Sequence, residues 1–391
     1  MEKESPMADP PSLALRSVRN FVLDTDRAHQ HAGWQGVKMM TTTRSRTFLR
    51  DDSEHRSRTH IMAIGTAHTT PDDAMSSIQV TKRTDRSLVM LILQHLIKPF
   101  GPSLVKPKGT VQAGSQRLDA TKKAQQRCEI HERRVEETYM YDMVGKGSQS
   151  KKTRAKRIYY FAGGGWQSPP APQHWALCAE MACKMPDVTV SIVSYPLAPH
   201  SAAPVAMPEL LKWYHTVLRE AEEEGERVSF AGDSAGGNVI LSLTLYALLQ
   251  DPEARAPTAL MAVSPSTDLT RSNPDMRTIE KHDPILRIPF VTGSANAWRG
   301  EWDATDPRVS PLYADVSILA QRDVKVHGIS GTYDILGPDA VLFRKKCKEA
   351  RVRGEWLDWD KQMHCFALTW SYGLSEGKQA KEWMLDVLRR T

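Results

Sequence analysis

Residues 228–240 read VSFAGDSAGGNVI. The pentapeptide at the centre, Gly232-Asp233-Ser234-Ala235-Gly236, follows a short run of strand-forming residues and precedes a long helical pattern. In that position the unit demands a sharp strand-to-helix turn. Crowding leaves little room for side chains at the flanking glycines, and Ser234 is lifted clear of the sheet at a helix N-terminus. The unpaired N–H groups and dipole of that helix end favour negative charge developing nearby, which makes the Ala235 N–H a candidate donor. Alone, the pentapeptide also fits a small-residue turn that merely eases strand-helix packing, as in many nucleotide-binding folds. Its surroundings decide between the two.

From about Cys128 the chain alternates between β-like runs and helical patterns. The candidate strands are Arg157–Ala162, Val188–Tyr195, Arg227–Gly232, Ala259–Ser264, Val324–Ser330 and Glu355–Trp359, each short and rich in β-branched or aromatic residues. Helical stretches fall between them at Gln173–Lys184, Pro208–Glu224, Ala235–Leu249 and Asp339–Ala350, with a last one at Ser375–Arg390. Such alternation predicts an α/β fold with a mostly parallel central sheet flanked by helices. The interval Thr267–Pro311 breaks the rhythm with several prolines and with Phe290, Trp298 and Trp302. It is expected to form a helical cap over the sheet, together with residues of about 86–125.

The first 75 residues are rich in Arg, Asp, Thr, Ser and His and show no sustained period, so they lack the apolar surface to offset the entropy of ordering. They are expected to be a disordered extension, or to lie outside the working protein if translation starts at Met75. Residues 76–391 are then one domain, and 40% hydrophobic residues suffice for its core. The net charge of +6 is scattered and partly concentrated in the first segment, which argues against nucleic-acid binding. Five cysteines without paired spacing or a metal-ligand pattern read as reduced thiols of a cytoplasmic protein. No secretory signal is evident. The apolar run Leu88–Phe100 is read as too short to span a bilayer, and as packing on the core or beside the substrate entrance, with peripheral membrane association the alternative.

A serine hydroxyl needs an imidazole to take its proton, and in a fold of this type the order along the chain is serine, acid, histidine. His364, in QMHCF beyond a late strand, fills the last position, and Asp334, in GTYDIL, fills the acid position. Asp339 is a rival, but it opens a helix and suits a first-turn carboxylate better. His327 falls within a predicted strand, and His174, His200, His215 and His282 precede the acid; all five are read as structural. After the strand RIYYFA comes Gly163-Gly164-Gly165-Trp166, a run that exposes backbone N–H groups to a ligand.

In order along the chain, YYFAGGGW, SYPLAPHS, AGDSAGGN, SPSTDLTRSNP, DPRVSPLYAD, GTYDIL and MHCF resemble the successive motifs of the hormone-sensitive-lipase family of α/β-hydrolase esterases, and within it the ε-lactone hydrolase and arylesterase-like members. The likeness covers residues from about 157 to the end and weakens back to about 88. It implies a mobile cap, hydrolysis of esters without a cofactor or metal, and an oxyanion hole made by Gly164, Gly165 and Ala235. Ala162 stands where the family usually has histidine, so a hydrogen bond that normally holds the glycine loop is missing. Pro196 and His200 replace the family's usual Arg and Glu.

The reading is a serine hydrolase with Ser234, Asp334 and His364 as its catalytic residues, acting on a small or medium apolar ester or lactone. Trp166, Asp233 and Asp268 are assigned to the substrate pocket, with a structural role anchoring the cap the favoured alternative for Asp268, Trp298 and Trp302 as further apolar candidates, and Asp283 assigned to a turn. A tailoring role in secondary metabolism rests on the resemblance alone. Two alternatives stay open: an amidase or formamidase with the same residues, and a hydrolase-fold binding protein weakened at Ala162.

Overall fold

Short apolar strands, most of them covered on both faces, build a nine-stranded sheet in the computed structural model, which describes residues 77–107, 111–147 and 155–391. Residues 1–75, for which disorder or absence is expected, lie outside the described residues. The strands are β1 (Ile78–Arg83), β2 (Cys128–Val135), β3 (Thr138–Gly145), β4 (Lys156–Phe161), β5 (Val188–Ser194), β6 (Arg227–Asp233), β7 (Ala259–Val263), β8 (Lys325–Tyr333) and β9 (Gly354–Met363). Their order is β1-β9-β8-β7-β6-β4-β5-β3-β2, and neighbours run parallel except in the β2–β3 and β3–β5 pairs. Every residue of β5 and of β7 is buried, as a parallel sheet sandwiched between helices requires.

Three strands escape the sequence reading. β1 (IQVTKR) and β2 (CEIHERRV) are edge strands with polar, partly exposed residues, so neither carries the apolar run of a central strand. β2 turns into β3 through Glu136 and Glu137, with Glu136 at φ 49°, and no glycine marks that hairpin. The helix expected from Pro208 begins earlier: α5 spans Ala203–Glu223, with Pro204 in its first turn and Ala203, Ala206 and Met207 buried. Proline at such a start costs no hydrogen bond, and burial of those three residues favours the extra turn.

The other helices numbered along the chain are α1 (Leu88–Ile97), α2 (Gly101–Val105), α3 (Lys122–Arg127), α4 (Pro172–Lys184), α6 (Ala235–Gln250), α7 (Asp275–Glu280), α8 (Ile288–Arg299), α9 (Ser317–Gln321), α10 (Gly337–Glu349) and α11 (Ser375–Arg390). α6 is apolar almost all round and buried along nearly its whole length, which places it against the sheet centre. The helices α1, α2, α7 and α8 lie in the two intervals read as cap. These intervals meet where Gly101 approaches the Pro284 and Ile285 backbone and where the Lys98 ammonium donates to the Lys281 carbonyl.

The apolar run near residue 88 is longer than the sequence reading has it. Helical turns continue from Leu88 through Val105, giving 18 residues of mean hydropathy 1.4, which by length and composition alone is enough to cross a membrane. The run is nonetheless tied to the α/β body: Met90, Leu93, Gln94 and Ile97 are buried, the Gln94 amide donates to the Lys361 carbonyl at 2.8 Å, and Ser87 caps the helix at Met90 N. Leu88, Leu96 and Phe100 are exposed on it.

Trp213 of α5 anchors the helix layer to the sheet, with ring centroids 5.1 Å from Tyr159, 5.5 Å from Phe161 and 5.9 Å from Phe230. Trp213→Ala removes a fully buried indole from this cluster and is expected to cost about 3–5 kcal/mol, measured as a lower midpoint in chemical denaturation with an unchanged slope.

Candidate active site

β6 delivers Ser234 into the turn that the Gly-x-Ser-x-Gly pattern anticipates. Ser234 has φ 52° and ψ −115°, a conformation that L-residues rarely adopt, and α6 starts at the next residue. A Cβ on Gly232 would lie 2.7 Å from the Gly236 carbonyl oxygen, and one on Gly236 would lie 1.9 Å from the Phe161 carbonyl oxygen. Both glycines are therefore fixed by backbone contact with β4. Ser234 N donates to the Val263 carbonyl at 2.8 Å, and the Asn238 amide donates to the carbonyls of Ser266 and Val309 at 2.7 Å each, pinning the start of α6 to the loop beyond β7.

The structure brings three of the expected residues into one chain of hydrogen bonds. His364 Nε2 lies 2.9 Å from Ser234 Oγ, and His364 Nδ1 lies 2.8 Å from Asp334 Oδ2. The tautomer that serves both contacts carries its proton on Nδ1, donates to Asp334 and accepts from the serine. Asp334 is fully buried, and its other oxygen accepts from Leu336 N at 2.9 Å. Burial alone would lower the His364 pKa, but the charge of Asp334 outweighs it and holds the imidazole well above its ordinary value. Asp339 lies elsewhere: it accepts from the Asn273 amide at 2.7 Å, and burial pushes its carboxyl up to about 6.

Gly164 and Gly165 have φ of 135° and 62°, so the loop after β4 uses conformations open to glycine. Among the described residues, the N–H groups of Gly164, Gly165 and Ala235 have no acceptor within the chain. The loop is fastened on both sides despite the alanine at 162. The Tyr195 hydroxyl donates to the Ala162 carbonyl at 2.8 Å, Gly163 N donates to Asp233 Oδ1 at 3.0 Å, and Ala198 N donates to the Trp166 carbonyl at 2.8 Å. Tyr195 belongs to the segment SYPLAPHS, whose spacing from the loop hides this contact in the sequence.

Two of the residues considered for the pocket make structural hydrogen bonds. Asp233 is buried and accepts from Tyr160 Oη at 2.7 Å, from Gly163 N and from His174 Nε2 at 3.3 Å. Burial would raise its pKa, but His174 and these hydrogen bonds hold it below the usual carboxylate value. Asp268 is buried and closes a turn by accepting from Thr270 N and Oγ1 at 2.8 Å each. Trp166 stacks on Trp298 of α8, with centroids 5.9 Å apart and planes 7° from parallel, so the glycine loop and the second cap interval share a ring contact. Ser294 and Phe290 of α8 also lie against Gly165. Trp302 is covered by the Arg308 guanidinium, 3.7 Å from its ring centroid.

Asp283, read from sequence as a turn former, does close a turn by accepting from Ile285 N and Leu286 N at 2.8 and 2.9 Å. It also accepts from Ile335 N, next to Asp334, at 3.0 Å. Burial and the nearby Asp334 charge push its carboxyl up to about 6. The acid loop is thereby tied to the cap interval, a link that only the fold creates.

Residues 158–368, more than half of the chain, match the sequence profile of a family described as having the α/β-hydrolase fold. Over 210 residues the chain is 31% identical to an esterase of Acinetobacter venetianus, an alignment that covers 54% of this chain and 67% of that protein. The chain belongs to the hormone-sensitive-lipase family of α/β-hydrolase esterases. It is 29% identical to mouse hormone-sensitive lipase over 182 residues, covering 46% of this chain and 23% of the lipase. The chain thus spans about two thirds of the bacterial relative and under a quarter of the mouse protein. The crystal structure of an esterase/lipase from an uncultured bacterium superposes with a TM-score of 0.62 at 21% identity, covering 78% of this chain and 99% of that one. At that identity the match shows the shared fold.

Because Asp334 is what raises the His364 pKa, Asp334→Asn lowers it, and any acid limb in activity set by deprotonation of His364 moves to lower pH. Activity at the plateau is expected to fall by about 10³–10⁴-fold, as the wrong imidazole tautomer is favoured. A pH profile of kcat/KM for wild type and variant checks both; an unmoved limb identifies a different titrating group.

Proposed function

We propose that the protein hydrolyses carboxylic esters or lactones of small to medium apolar compounds through an acyl-enzyme on Ser234. The observation that carries this reading is the buried Asp334, linked through His364 to a serine hydroxyl 2.9 Å from the imidazole, on a turn held in a strained conformation.

In the reaction, Ser234 Oγ attacks the ester carbonyl carbon as His364 Nε2 takes its proton. The carbonyl oxygen becomes an oxyanion that accepts from the N–H groups of Gly164, Gly165 and Ala235. Collapse of the tetrahedral intermediate breaks the bond to the alkoxy oxygen, which receives the proton from His364 and departs as the alcohol. Water then attacks the acyl-enzyme, passing a proton to His364, and the second intermediate releases the acid and restores Ser234. Asp334 holds the imidazole in place and stabilises the imidazolium. With a lactone, alcohol and acid leave as one molecule. Trp166, Trp298 and Phe290 beside the glycine loop favour an apolar acyl or ring group. Removal of an acyl group or opening of a lactone ring on a secondary metabolite is the role this chemistry fits.

Purified protein treated with a fluorophosphonate probe is expected to carry the label on the Ser234 peptide, and Ser234→Ala to carry none. Matched series of p-nitrophenyl esters, lactones and anilides then rank the substrate classes, with esters or lactones expected ahead of anilides. Folded wild-type protein that neither labels nor turns over any of them sinks the hydrolase reading in favour of a binding role; faster anilide turnover replaces the esterase with an amidase.

A further inference from the structure

We propose that His174 is a positioning residue for the hydrolysis, acting through Asp233 to hold the glycine loop against the nucleophile turn. The proposal rests on the hydrolase reading and adds to it a residue outside Ser234, Asp334 and His364.

His174 is the third residue of α4, the helix that follows the glycine loop. Its Nδ1 accepts from Ala171 N at 2.9 Å, which leaves the proton on Nε2, facing the Asp233 carboxylate at 3.3 Å. The imidazole lies 3.3 Å from both carboxylate oxygens, and Oδ1 also takes the Tyr160 hydroxyl at 2.7 Å and Gly163 N at 3.0 Å. His174, Asp233 and Tyr160 are all buried, so water does not replace a donor that is removed, and a carboxylate short of one donor turns toward those that remain. The Cys365 thiol, 3.6 Å from Oδ2, is too weak a donor to take the imidazole's place.

The orientation of this carboxylate matters because Asp233 directly precedes Ser234. A Cβ on Gly163 would lie 2.3 Å from Asp233 Oδ2 and 3.0 Å from Ser234 Cβ, so the loop rests on the turn with no slack. Rotation of the Asp233 side chain therefore shifts Gly163, and with it Gly164 and Gly165, relative to Ser234 Oγ. Oxyanion donors lose most of their effect when displaced from the developing charge. In this chain, where alanine stands before the three glycines, the imidazole arrives instead from α4.

Two polar substitutions separate this role from simple capping of α4. His174→Gln places an amide N–H near the former Nε2 and keeps a donor to Asp233. His174→Asn places its carbonyl near the former Nδ1, keeping the acceptor for Ala171 N without reaching Asp233. With p-nitrophenyl butyrate, His174→Leu and His174→Asn are expected to lose about 10–100-fold in kcat with KM within about threefold. Fluorophosphonate labelling of Ser234 slows in parallel, and His174→Gln stays within about threefold of wild type in both assays. Thermal midpoints are read on all four proteins. The proposal is overturned if His174→Leu keeps full kcat, if His174→Asn is active while His174→Gln is not, or if losses of activity follow losses of thermal midpoint. Inert wild type removes the hydrolase reading and this inference with it, whereas active wild type with an equally active His174→Leu removes this inference alone.

Discussion

The backbone of the turn after β6 passes so close to β4 that no side chain fits at Gly232 or Gly236, and this contact governs the rest of the site. It lets the first turn of α6 approach the strand that leads into the glycine loop, so the three candidate oxyanion donors come from two elements held at backbone distance. It also sets the φ of 52° at Ser234, a conformation that costs free energy and persists because the surrounding hydrogen bonds over-determine it. With a bulkier residue at either glycine, α6 must move away from β4. Serine and loop would then separate.

Two carboxylates divide the electrostatic work around this turn. Asp334 is buried against His364 and against the Leu336 N–H, so its charge is directed at the imidazole. Asp233 is buried next to the serine in sequence and accepts from Gly163 N of the loop. An ionised carboxylate without partners in the interior is strongly unfavourable, and both satisfy their oxygens with several donors. Asp283 adds a third, shared between the cap interval and the acid loop, and its raised carboxyl pKa reflects burial first and then the nearby Asp334 charge. Such networks are cooperative, so the geometry of the site depends on residues from β4, α4, β6, the loop after β8 and the interval before α8.

Legibility in the sequence followed from how local each signal is. Ser234 was readable because its pattern, strand, Gly-x-Ser-x-Gly and helix, lies within about two dozen residues. Central strands such as β5 were readable from continuous β-branched and aromatic runs. The edge strands β1 and β2 were not, because exposed edges carry polar residues that look like loop. His174 was set aside because a histidine upstream of the acid violates the triad order, a rule that is silent about residues acting through a neighbour. Its signal was weak but present: it is the first ionisable residue after the glycine loop, in the first turn of the helix that follows.

Sequence by itself determined the class of fold, through alternating strand and helix patterns, and the place of the sharp strand-to-helix turn that carries Ser234, because backbone crowding there permits few residues. It also set the order of serine, aspartate and histidine along the chain. Tertiary structure alone decided which carboxylate faces which partner. Asp233 and Asp334 are chemically the same residue, and Asp339 lies only five positions beyond Asp334. What separates them is the set of donors that each meets after burial, supplied by segments up to some 70 positions away, as with Gly163 for Asp233. A hydrogen bond depends on distance and direction in space, and between distant segments only the packed sheet and helices fix both.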